Sequence, residues 1–275
     1  MFTPDSGEFF MTQDYKSGVQ ILRDGAVATI LMNRPDAGNA LDLDTSRELL
    51  DAAVAVDCDD TVRAVLLASE GKLFCAGGDI SGFASAGDRV AQLVSMETAY
   101  LHGAVSRLAR MNKPLVVAVQ GFAAGAGFSL AMLGDIVIAA QGAQFTLAYT
   151  GIGLTPDGGA SWLLPKLVGL RKAQEMILLN PRLSAQQALE SGLITRVVPD
   201  LELKEEAQRV VQQLASGPTR AFGRVRDLLL DSYADGLESH LEQEVRGIMN
   251  SANDADSKGA IAAFLEKRKP VFKGA

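Results

Sequence analysis

Cysteine and histidine are scarce in this chain. Its 275 residues include two cysteines, Cys58 and Cys75, and two histidines, His102 and His240. Two cysteines are too few for a disulfide framework, and neither has Cys or His companions at metal-ligand spacing. Cys75 lies in an apolar run, where a cysteine acts as a small buried hydrophobe rather than a nucleophile. Two separated histidines cannot build a histidine-rich metal site, so no metal is expected. Nowhere do roughly 18 apolar residues run uninterrupted, as a membrane-spanning helix requires. The start, Met1-Phe2-Thr3-Pro4-Asp5-Ser6-Gly7-Glu8, lacks the basic and apolar blocks of a signal peptide. The expected protein is therefore cytoplasmic, with no membrane partner. Positive charge is also short: 26 Lys and Arg against 33 Asp and Glu leave a net charge of −7. That balance argues against a nucleic-acid partner, although an acidic chain can hold a local basic patch for a phosphorylated ligand.

Apolar residues make up 48% of the chain, enough for a full core in one large domain or one domain with an appendage. Residues 1–15 read as a loose tail. Val27–Met32, Arg63–Ala68, Leu115–Val119 and Ile136–Ala140 read as buried strands. Helices are expected at Asp44–Val56, at 88–110 and at 127–134. Strands alternating with helices predict an α/β fold with a largely parallel sheet. After residue 200 only helical patterns remain, at Leu201–Ala215, Thr219–Leu230, Gly236–Asn250 and Ser257–Lys269, with Gly217-Pro218 as a break. Residues 1–200 thus read as the core, and 201–275 as a helical region that packs on a neighbour or covers a site.

Two glycine-bearing turns stand out. Gly121-Phe122-Ala123-Ala124-Gly125-Ala126-Gly127 follows the strand Leu115–Val119 and leads into a helix. Small residues there let a ligand approach the backbone, and free N–H groups at a helix start suit a negative oxygen. The third glycine of a dinucleotide fingerprint is missing, and no Lys-Ser/Thr follows for a phosphate loop. An oxyanion site, a phosphate site and a plain packing turn all remain open on this segment alone. Ala76-Gly77-Gly78 forms the second turn, after the strand Arg63–Ala68. Two such turns at neighbouring strand ends could place two amides around one oxygen, as an oxyanion hole does. Asp79 doubles as a helix N-cap candidate. Asp157, in Thr155-Pro156-Asp157-Gly158-Gly159, reads equally as a cap or as a catalyst.

Taken in order, these segments resemble the crotonase (enoyl-CoA hydratase/isomerase) superfamily. The resemblance rests on Asn33-Arg34-Pro35, Asn39-Ala40-Leu41, Phe74–Ile80, Lys113-Pro114, Gly121–Gly127, Ile152–Gly159, Ala188–Ile194 and Phe264–Pro270, and spans roughly residues 17–272. It implies a crotonase-like spiral of ββα repeats followed by a helical trimerisation region. It also implies an acyl-CoA substrate, no cofactor beyond the CoA of that thioester, and a homotrimer or dimer of trimers. By position, Gly78 and Ala126 match the amides that hold the thioester oxygen. Ala76, Phe83, Ser129 and Tyr149 fall among the substrate-binding positions. Lys267, with Arg268 and Lys269, is a candidate for CoA phosphate contacts, and reads equally as a basic helix end. The early loop 34–38 lacks the lysine many relatives carry. The segment 81–87 is expected to set acyl specificity, and Phe83, Phe122 and Trp162 are candidate apolar walls.

The chain departs from the two-glutamate hydratases. Ser129 and Tyr149 occupy the two glutamate positions, and neither is an ordinary carboxylate base. Asp157 matches the position where isomerising relatives place their catalytic aspartate. The resemblance therefore implies C=C migration in an enoyl-CoA through a (di)enolate, with Asp157 as acid and base. Three other readings stay open: hydration by a non-standard acid/base set, aryl-CoA dehalogenation using His102 with Asp157, and acyl-CoA binding without turnover.

Overall fold

The computed structural model describes residues 18–275; the expected tail at 1–15 lies outside them. The chain opens with a hairpin. Strand β1 (Val19–Asp24) turns through Gly25-Ala26 into the antiparallel β2 (Val27–Met32), pairing Asp24 with Val27 and Val19 with Met32. Helix α1 (Leu43–Cys58) then carries the chain to β3 (Ala64–Ser69), parallel to β2. A short helix α2 (Ile80–Ala86) and a long helix α3 (Val90–Arg110) lead to β4 (Leu115–Val119). The small strand β5 (Phe122–Ala124) and helix α4 (Ala126–Ala131) follow, then β6 (Ile136–Ala140) and β7 (Gln144–Thr146). Next come α5 (Ala160–Val168), α6 (Leu170–Leu179), β8 (Leu183–Ser184), α7 (Ala185–Glu190) and β9 (Arg196–Val198). Helices α8 (Leu203–Ala215), α9 (Thr219–Asp231), α10 (Leu237–Asn253) and α11 (Ala255–Leu265) complete the fold.

The strands form a six-stranded sheet, β1-β2-β3-β4-β6-β9, and a three-stranded sheet, β5-β7-β8. In the large sheet every pairing after the first is parallel. Its central strand β4 is buried along its whole length, which is why it reads as an unbroken apolar run rather than an alternation. Each later turn of the chain lays one strand in the large sheet and the next in the small one: β4 then β5, β6 then β7. Bridges between Leu41 and Gly78 and between Cys75 and Ala123 continue the small sheet through the earlier turns. This is the ββα spiral that the resemblance implied. The four strands expected from the sequence are present, β3 one residue later than expected. The hairpin strand β1 and the short strands β5, β7, β8 and β9 were not anticipated.

Helix ends are held by buried cations. Asp42 caps α1 by accepting the Thr45 N–H at 2.8 Å. At its other end, buried Lys113 donates to the carbonyls of Val56, Asp57 and Asp59 at 2.6, 2.8 and 2.7 Å. The ammonium thus satisfies three carbonyls that the helix leaves without partners, at the negative end of its dipole. Arg226 of α9 does the same for α3, donating to the carbonyls of Leu108, Met111 and Lys113 and pairing with Asp135. The helical region beyond residue 200 does not stand apart at its start. Helix α8 lies on the large sheet and buries Leu203, Ala207, Val210 and Val211. Helix α10 leaves Leu237, Leu241, Val245, Ile248 and Met249 exposed.

Lys113→Met keeps the stem but removes all three donors. It should lower unfolding free energy by about 2–3 kcal/mol, measured by urea denaturation, with the circular dichroism of the folded state unchanged.

Candidate active site

The two glycine turns lie side by side. Phe74 N–H donates to the Gln120 carbonyl at 2.9 Å, Cys75 N–H to Phe122 at 3.1 Å, and Ala124 N–H to Cys75 at 2.9 Å. Such closeness requires glycine. A Cβ on Gly127 would lie 2.4 Å from the Cys75 carbonyl oxygen, and one on Gly77, whose φ is +99°, would lie 2.9 Å from that of Ala124. On the far side of the first turn, Leu41 N–H donates to Gly77 and the Leu41 carbonyl accepts from Asp79, both at 2.8 Å. These bonds engage the residues flanking Gly78, so the Gly78 N–H faces away from Leu41, towards the second turn. There Ala126 is the first residue of α4, and Gly125 before it supplies no side-chain cap. The Ala126 N–H therefore has no acceptor within its helix. Gly78 and Ala126 line one cavity of about 200 Å³. Asn39 holds the arrangement from below, donating to the carbonyls of Glu70 and Leu73 at 2.9 and 2.8 Å. Asp79 caps α2 through Ser81 and Gly82, so its cap reading is the one seen.

Asp157 lines the same cavity. Helix α5 begins after Gly159 with no side-chain cap, so the Asp157 carboxylate is not spent on a helix end. It accepts instead from the Tyr149 hydroxyl, Oδ1 to Oη 2.6 Å. Tyr149 follows Ala148, which holds a left-handed φ of +58°, a conformation uncommon outside glycine. Burial, followed by the charge of Asp157 and the bond to it, pushes the Tyr149 phenol well above its ordinary range. It is therefore a fixed donor and not a base. Beneath it, the Ser129 hydroxyl donates to the Asp157 carbonyl at 2.9 Å and lies 3.2 Å from the Tyr149 oxygen. The Gly158 N–H donates to His102 Nε2 at 3.1 Å. Hydrogen bonds thus fix the Asp157 turn from three directions.

A second carboxyl lines the cavity. Glu97 projects from α3, is only 8% exposed, and shares the wall with Val94, Thr98 and Leu101. Burial, then the charges of Asp42, Asp79 and Asp157, push its carboxyl up to about 7. Sequence reasoning missed it, yet a signal was there. Positions 94, 97, 101, 104 and 108 form the apolar stripe of α3, and Glu97 interrupts that stripe.

A family model for enoyl-CoA hydratase/isomerase matches residues 23–275. The chain belongs to the enoyl-CoA hydratase/isomerase family. It is similar to the 1,2-epoxyphenylacetyl-CoA isomerase of Escherichia coli, with 38% identity over 250 residues covering 90% of this chain and 95% of the relative. It is also similar to 4-chlorobenzoyl coenzyme A dehalogenase-2 of an Arthrobacter species, with 30% identity over 261 residues covering 94% of each. A crystal structure of an enoyl-CoA hydratase from Polaromonas superimposes with a TM-score of 0.88 at 29% identity, covering 93% of this chain and 99% of that one.

Within this enoyl-CoA hydratase/isomerase fold, the expected site residues sort into three groups. Ala76, Gly78, Phe83, Ala126, Tyr149 and Asp157 meet at the cavity. Phe83 rests on Gly78, where an added Cβ would lie 3.1 Å from its ring. Ser129 does not belong to the lining. It is 0% exposed and sits beneath the Asp157 turn, whose carbonyl its hydroxyl bonds. A Cβ on Gly158 would fall 2.8 Å from the Ser129 Cβ, so the Gly158 backbone packs directly on the serine side chain. Lys267 is exposed just beyond α11 and is not part of the cavity wall. Trp162 is 47% exposed, with the Lys166 ammonium over its ring, and Phe122 packs near Arg182. Neither ring walls the cavity.

Ser129→Glu should not restore a two-glutamate hydratase site. The longer carboxylate enters a filled space under Gly158, so the variant should lose roughly 2–4 kcal/mol of stability and gain no hydration of 2-enoyl-CoA. Glu97 generates a pH-dependent prediction. Its folded value, about 7, lies above the ordinary 4.5, so the folded state binds the proton more tightly. The cost of burying Glu97 is absent below about pH 4.5, grows as pH rises, and is complete above about 7. Glu97→Gln lacks that loss. Its stability relative to wild type should rise between pH 5 and pH 8, as read from urea unfolding at both.

Proposed function

We propose that this family member shifts a C=C bond within an enoyl-CoA. Asp157 serves as the base, and the Gly78 and Ala126 amides hold the thioester oxygen. The observation that carries this reading is the pinned carboxylate of Asp157 in the cavity that those two residues line. Asp157 takes a proton from C2 of a 3-enoyl-CoA. The resulting dienolate places negative charge on the thioester oxygen, where two preorganised N–H donors are most effective. Reprotonation at C4 gives the 2-enoyl-CoA. The cavity walls Leu41, Phe83, Leu101 and Leu147 keep water away from the dienolate. Coenzyme A enters as part of the substrate and leaves with the product. The similarity to an isomerase acting on a CoA ester supports the class of reaction.

Dehalogenation is the second reading, favoured by the dehalogenase relative and by the nearness of His102 to the Asp157 turn. In that chemistry the histidine must activate water. Here His102 Nε2 already accepts the Gly158 N–H, which leaves that lone pair engaged. The exposed apolar side chains of α10 are the surface we assign to contacts between copies in a trimer or a dimer of trimers.

Asp157→Asn should lower turnover of 3-hexenoyl-CoA by 10²–10⁴-fold while CoA-ester binding is kept; full turnover in that variant would end the assignment. Incubation with 4-chlorobenzoyl-CoA should release no chloride, and stoichiometric release would establish the dehalogenase reading instead.

A further inference from the structure

Building on the isomerase reading, we infer that Glu97 is a second proton carrier, delivering to C4 the proton that completes the reaction Asp157 begins at C2. The two carboxyls come from different elements, α3 and the turn before α5, and line one cavity. A single carboxylate can serve both carbons only if it follows the proton along the acyl chain. Asp157 is poorly suited to that. Tyr149 holds its Oδ1 at 2.6 Å, and Ser129 and His102 fix the two ends of the Asp157–Gly158 peptide.

Electrostatics divides the labour. Two carboxylates in a small, largely apolar space do not both ionise cheaply, so one keeps its proton. Asp157 receives a hydrogen bond from the Tyr149 phenol, which aims its carboxylate into the cavity as the acceptor of a proton. Among the described residues, no hydrogen bond or ion pair reaches the Glu97 carboxyl, and the carboxylates of Asp42, Asp79 and Asp157 oppose its ionisation. Asp42 itself is paired with Arg34 at 2.8 Å, and no such ion pair among the described residues reaches Glu97. The proton therefore resides on Glu97, and an acid and a base face the same substrate.

The steps balance. Asp157 accepts the C2 proton, and the electrons of that C–H bond delocalise over the dienolate. The C4–H bond then forms as the Glu97 O–H bond breaks; C2=C3 is established and the thioester carbonyl returns. The substrate has gained and lost one proton, Asp157 is protonated and Glu97 is ionised. Exchange with water returns the enzyme to its starting state, so the hydrogen placed on C4 comes from solvent.

Wild type, Glu97→Gln and Asp157→Asn should each be run with 3-hexenoyl-CoA in heavy water, with deuterium located by NMR. Wild-type product should carry deuterium at C4. Glu97→Gln should still exchange hydrogen at C2 while forming isomerised product at least ~100-fold more slowly, and Glu97→Asp should restore part of the rate. Asp157→Asn should lose both exchange and isomerisation. Wild-type product that keeps the substrate's own C2 hydrogen at C4, or Glu97→Gln turning over at the wild-type rate, would overturn the assignment and leave Asp157 as sole carrier. Formation of 3-hydroxyacyl-CoA that disappears in Glu97→Gln would also overturn it, making Glu97 a water-activating group. If wild type neither exchanges at C2 nor isomerises, the isomerase reading itself fails, and this assignment with it.

Discussion

The site depends on the contact between two backbone turns. Residues 74–78 and 121–127 approach so closely that a methyl group on Gly127 would overlap the Cys75 carbonyl. Their hydrogen bonds are those of a sheet, but the small sheet here is little more than bridges and three-residue strands. The large sheet and its covering helices supply the rigidity that the short pairings lack. Buried cations at the ends of α1 and α3 tie those helices to the chain around β4, and so to the turn that follows it. A hole for an oxyanion needs donors that do not reorganise when charge appears. In the proposed function, two amides from two strand ends, locked by carbonyl-to-glycine contact, meet that need without any side chain.

Around this fixed pair the cavity sorts its ionisable groups. Tyr149 is held protonated by burial and becomes a fixed donor to the Asp157 carboxylate. Glu97, buried with no hydrogen-bond partner among the described residues, is pushed towards neutrality. Serine at position 129 makes this possible. Its hydroxyl bonds the Asp157 carbonyl and its Cβ lies directly under Gly158, so it supports the turn that carries the aspartate.

Much of the fold was legible because its strands are buried on both faces and read as plain apolar runs. The weak strands were not. β5, β7 and β9 have three residues each and β8 has two; they exist because neighbouring turns of the spiral offer them partners, a fact without local signature. Position in the family pattern led to Gly78, Ala126 and Asp157. It misplaced Ser129, since spacing along the chain does not tell whether a side chain faces a cavity or supports the loop above it.

The order of strands, glycines and acidic residues was determined by sequence alone, because local propensity and steric demand act over a few residues. It also settled what the chain lacks: the paired glutamates. Only the tertiary structure decided what takes their place. Tyr149 reaches Asp157 across eight residues, but Glu97 and Asp157 stand sixty residues apart and meet only when α3 and the turn before α5 close around one cavity. Burial and the charge of neighbouring carboxylates are properties of that enclosure, and they set the Glu97 carboxyl apart from an ordinary glutamate.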